Sequence, residues 1–154
     1  MQGQTAAAAT ATASESHRWG ALELGIATFA VLHLGLALLM AFAPHTFFTA
    51  IGPFGSYNDH YIRDVATFYG ALGAGLAVSL VRTGWRVPML AITALQYALH
   101  SINHLFDIGG AHPGWTGYFD FFSLAAATLM LVWLTREAAA EAQSRAHPPP
   151  TSKE

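Results

Sequence analysis

Four apolar runs, at about 21–43, 64–81, 87–108 and 118–134, dominate the chain and constrain it more than any other feature. Each is close to the roughly 17 to 25 residues that a helix needs to cross the hydrocarbon core of a bilayer. The first run holds a single residue among Asp, Glu, Lys and Arg, namely Glu23. The 154 residues are 53% hydrophobic and only 10% charged, against about 25% charged in an ordinary soluble domain. Too few charges remain to coat a water-facing surface. The expected fold is therefore all-α, a four-transmembrane-helix bundle, multi-pass in the cell membrane.

The breaks between the runs carry their own signals. Pro44 ends the first span, because its ring removes a donor and clashes with the preceding turn. Pro88 lies in the first turn of the third span, where no helical hydrogen bond is lost. Gly109 and Gly110 then close that span. Residues 44–63 join Gly52-Pro53 and Asn58-Asp59 breaker pairs to Phe47, Phe48, Phe54, Tyr57 and Tyr61, a composition suited to the headgroup interface. Residues 1–17 form an Ala- and Thr-rich lead expected to be disordered. The membrane domain spans 18–137, and 138–154 form a charged, Pro-rich tail. A signal peptide is not expected, since the first apolar run is too long and Pro44 follows the Ala41-Phe42-Ala43 site.

Lys and Arg beside membrane spans are retained on the cytoplasmic side. In a four-span topology Arg18, Arg82, Arg86, Arg136, Arg145 and Lys153 fall on one side, and Arg63 alone on the other. Both termini are accordingly expected in the cytoplasm. The absence of cysteine excludes thiolate chemistry and disulfides. A net charge of −2 with no basic run excludes nucleic acid as a partner.

The third span is the one with chemistry in it. Thr93, Gln96, Tyr97, His100, Asn103, His104 and Asp107 fall within roughly a 120° arc of a helix. Leu95, Leu99, Ile102, Leu105 and Phe106 occupy the opposite face. Polar groups facing lipid lose hydration without gaining partners, so the stripe is expected to face the bundle interior or a wet cavity. His100 and His104 stand four residues apart, on one face, and Asp107 continues the row. Arg63, Asp64 and Asp120 are expected to join Tyr97, His100, Asn103, His104 and Asp107 at the non-cytoplasmic end. His33, Asp107 and the two span-three histidines are the metal-ligand candidates, and two of the three histidines could serve a b-type heme. The same residues also suit a plain hydrogen-bond network that fixes helix packing. Gly70, Gly73 and Gly75 read as close-approach positions between helices.

The segments Tyr61-Ile62-Arg63-Asp64-Val65-Ala66-Thr67-Phe68-Tyr69 and His100-Ser101-Ile102-Asn103-His104-Leu105-Phe106-Asp107 resemble patterns in the DoxX-like small bacterial membrane proteins. The resemblance covers about residues 20 to 135. It implies a four-helix membrane bundle and, for some members, association with quinone-linked redox systems. It carries over no catalytic residues.

The leading functional expectation is a polar pocket for a small or quinone-like lipid molecule or a metal, with no reaction assigned. Two alternatives stand beside it. One is an accessory subunit of a larger membrane complex or a homo-oligomer, the other the heme protein.

Overall fold

The computed structural model describes residues 19–147. The expectations for the 1–17 lead, Arg18, the prolines from 148 onward and Lys153 lie outside the described residues. Within them the protein is helical: α1 (Ala21–Phe42), α2 (Pro44–Ala50), α3 (Asp59–Val81), α4 (Arg86–Phe106) and α5 (Trp115–Ala146), with a 3₁₀ turn at Thr83–Trp85. Helices α1, α3 and α5 are long and apolar enough to cross a membrane.

The helix ends follow from local chemistry. Glu23 turns back to accept the backbone N–H of Gly20 at 3.0 Å, satisfying a donor at the start of α1. Pro44 stops α1 and opens α2 as its first residue. Helix α3 begins before the apolar run that starts near residue 64. The Asn58 side chain caps it by accepting the Tyr61 N–H at 3.1 Å, and Arg63 bridges to Asp59 one turn earlier at 2.7 Å. Apolarity marks the part of a helix suited to lipid, whereas capping marks where the helix starts. At the other end of the chain α5 continues far past Leu134, so the charged extension to Ala146 is one more stretch of the same helix.

The bundle is built from two pairs, α1 along α3 and α4 along α5, which then meet. Gly73 makes the first pairing close. A Cβ there would stand 2.8 Å from Leu34 Cγ and 3.0 Å from the Leu34 backbone nitrogen. Ser101 and Thr128 touch across the second pair at 3.4 Å. Ile26, Phe29, Leu76, Leu90, Leu131 and Leu134 form a dry core where all four long helices converge.

Outside, large apolar side chains stay uncovered: Phe42, Phe68, Val81 and Leu129 are all more than 70% exposed. Helix α4 turns the opposite way. Leu95, Leu99, Ile102 and Phe106 point outward, while Thr93 and Tyr97 are buried and Gln96, His100 and His104 half-buried. The polar stripe therefore faces inward over most of its length.

One arginine joins the four long helices. Arg86, at the start of α4, is 5% exposed. Its Nη1 meets Glu23 of α1 at 2.9 Å and Glu141 of α5 at 2.7 Å, and its Nε donates to the Ser79 carbonyl of α3 at 3.4 Å. Glu23, which a membrane-crossing helix would be expected to send to the interface, is thus held inward by a cation.

Candidate functional site

At the end opposite Arg86 the two helix pairs part around a cavity of about 620 Å³. Leu32, Leu36 and Met40 of α1 and Ile62 and Val65 of α3 form an apolar wall. Tyr97, His100, Asn103 and His104 of α4 and Asp107 just beyond its end face it, and α5 adds Phe119, Asp120 and Leu124. Helix α2 and the loop after it cap the opening with Phe47, Phe48, Ile51 and Phe54. That cap is tied to the α4–α5 connection by a bridge between Phe54 and Ala111 and by the His112 N–H donating to Pro53.

The helical spacing of His100 and His104 brings their rings together, and their Nε2 atoms lie 3.0 Å apart. One nitrogen donates and the other accepts. His100 Nδ1 stands 3.5 Å from both the Tyr69 hydroxyl and Gln96 Nε2. Phe54 packs edge-on against His104, with ring centroids 4.9 Å apart. Two polar atoms of this group, Gln96 Oε1 and His104 Nδ1, are buried with no protein partner. Orphaned buried polar atoms are uncommon in native structures, and each calls for a water or ligand to complete it.

His33 lies beside the same cluster. It is fully buried, its Nδ1 donates to the Phe29 carbonyl at 2.7 Å, and its ring rests against Tyr69 and Tyr97. A carbonyl only accepts, so His33 carries its proton on Nδ1 and leaves Nε2 as a bare acceptor, also without a protein partner.

Of the expected pocket residues, Tyr97, His100, Asn103, His104, Asp107 and Asp120 line the cavity, whereas Arg63 and Asp64 do not. Their charges are used along the exposed first turns of α3: Arg63 pairs with Asp59 and donates from Nε to the Ala41 carbonyl, and Asp64 faces His60 at 3.5 Å. The metal set is corrected as well. Among the described residues no three His, Asp or Glu side chains gather in a way that could hold a metal ion. His100 and His104 touch each other, but Tyr69 stands between His33 and this pair, its ring against His33 and its hydroxyl at His100. Nor do His100 and His104 leave space for a heme between them, since their nitrogens already touch.

Tyr69, the cap aromatics and the Arg86 cluster were not singled out as site residues by sequence reasoning. Tyr69 had a readable signal, a phenol immediately before the Gly- and Ala-rich run of residues 70–77. Glu23, the one carboxylate of the first apolar run, was the corresponding signal for Arg86.

The chain matches no protein-family model, and comparison with curated proteins and with solved structures yields no match either.

Proposed function

We propose that this is a four-span membrane protein, with both termini cytoplasmic, that binds a lipid-like molecule with an apolar body and a polar head. The observation that carries the reading is the cavity itself. Its volume of about 620 Å³ lies within the roughly 300 to 1,000 Å³ of small-molecule sites, which typically join apolar walls to a few converging polar groups. The Tyr69–His100–His104 cluster supplies such groups, with unpaired buried atoms beside it. The fourth crossing is α4, long enough at 21 residues, whose polar stripe is sheltered from lipid by the other helices. Quinones suit the site by size and head chemistry, in keeping with the DoxX-like resemblance. No reaction is part of the reading.

The test is binding of a decyl-tailed benzoquinone to detergent-purified protein by equilibrium dialysis, with mass spectrometry of co-purified lipid. His100→Ala/His104→Ala and the cavity-filling Ala127→Trp should each weaken binding about tenfold or more, equivalent to about 1.4 kcal/mol. Retained affinity in both folded variants would remove the cavity from the account.

A further inference from the structure

His100 and His104, four residues apart on α4, form a linked pair, and the atoms left unpaired lie at its two ends. His104 Nδ1 is one, and Gln96 Oε1, on the amide whose Nε2 stands 3.5 Å from His100 Nδ1, is the other. Only two neutral arrangements satisfy the 3.0 Å Nε2 to Nε2 contact. In the first, Gln96 Nε2 and the Tyr69 hydroxyl donate to a bare His100 Nδ1. His100 then carries its proton on Nε2 and donates to His104 Nε2, so His104 bears its proton on Nδ1. In the second, the Gln96 amide is turned over, and its Oε1 and the Tyr69 oxygen accept from a protonated His100 Nδ1. His104 now donates from Nε2, and its Nδ1 is a bare lone pair.

Amide orientation and imidazole tautomer are set by such networks, not by ring position. Each arrangement leaves one unpaired atom at Gln96 and one at His104, so pairing within the protein favours neither. Tyr69 serves both arrangements, donating in the first and accepting in the second. The decision falls to whatever meets His104 Nδ1.

We propose that Gln96, His100 and His104 form a reversible hydrogen-bond relay that lets the cavity hold a lipid-like ligand with either a carbonyl or a hydroxyl head. A carbonyl oxygen only accepts and selects the first arrangement. A hydroxyl, which can donate where a carbonyl cannot, completes the bare His104 Nδ1 of the second. The ligand class is thus an oxidised and reduced pair sharing one tail, such as a quinone and its quinol or a ketone and its alcohol. No proton or electron is exchanged with the ligand: within the protein one proton passes from His100 Nε2 to His104 Nε2, the Nδ1 protons redistribute through Tyr69 and solvent, and the Gln96 amide rotates. Phe54, packed edge-on against His104 and itself lining the cavity, is the neighbour that an entering head displaces. The inference rests on the ligand reading above.

The experiment is nitrogen NMR of histidine-labelled full-length protein in detergent micelles, with His100 and His104 assigned from His100→Gln and His104→Gln variants. The probes are decyl-benzoquinone and its hydroquinone under anaerobic conditions. Both should bind within about threefold of each other. The quinone should show a protonated His104 Nδ1 and bare His100 Nδ1, and the hydroquinone the reverse at both sites. Binding of both probes with unchanged tautomers would overturn the relay while leaving the ligand reading intact. Strong preference for one head would also overturn it. Failure of both probes to bind would overturn the ligand reading, and the relay with it.

Discussion

Replacing Arg86 with Met should be the most damaging single substitution in the dry half of the bundle. The side chain is 6% exposed and faces Glu23 and Glu141, whose side chains are 18% and 33% exposed. Removing one partner from a buried ion pair costs about 3 to 5 kcal/mol, because the other charge is left without compensation. Glu141 is the less affected of the two acids, since a third of it meets solvent and it also pairs with Arg145. The penalty therefore concentrates on Glu23, together with the lost bond to the Ser79 carbonyl, and places Arg86→Met near the lower limit, about 3 kcal/mol. Glu141→Gln should cost only about 1 kcal/mol. The triple replacement Glu23→Leu/Arg86→Met/Glu141→Leu removes all three charges together and should recover to within about 1 kcal/mol of the parent protein. The assay is SDS titration from a mild detergent, followed by helical circular dichroism. A loss below about 1 kcal/mol in Arg86→Met, or a triple variant no more stable than the single one, would refute the reasoning.

Two further outcomes are expected. Gly73→Val should destabilise by about 1 to 3 kcal/mol in the same titration, because the nearest obstacles include the Leu34 backbone, whereas Gly35→Ala, which meets nothing within 4 Å, should be close to neutral. The chain has no cysteine, so single cysteines at Gly84 and Gly109, both with open space for a side chain, report topology: an impermeant maleimide should label Gly109→Cys in intact cells and Gly84→Cys only after permeabilisation. The opposite pattern would invert the proposed orientation.

The helices and the inward turn of the α4 stripe were legible because hydropathy and a helical period are local properties of the chain. Leu95, Leu99 and Ile102 could be assigned outward, and Thr93 and Tyr97 inward, from spacing alone. Partner choice is not local. Arg63 could reach Asp59 or Asp64, and an offset of one helical turn favours Asp59. Arg86 carried a topological signal as a cytoplasmic charge, but nothing near it in sequence pointed to Glu23 or to Glu141, 55 residues away. The cavity was half legible. Most of its polar face lies along α4, with Tyr69 of α3 and Asp120 of α5 added, while its apolar walls and cap come from other segments whose residues look like ordinary lipid-facing or interfacial side chains.

The position of Arg86 bears on how the protein moves. Two helix pairs fastened at one end by a buried cation, and separated at the other by about 620 Å³ of cavity, behave as two arms on a common pivot. The far ends of the arms, near Met40 and Phe119, are joined again through the cap by the Phe54–Ala111 bridge and the His112–Pro53 bond, so a rotation at the pivot is opposed there by these two contacts. On the proposed reading, a guest with a long tail would pass sideways between the arms from the surrounding lipid, its head displacing the Phe54 ring of the cap.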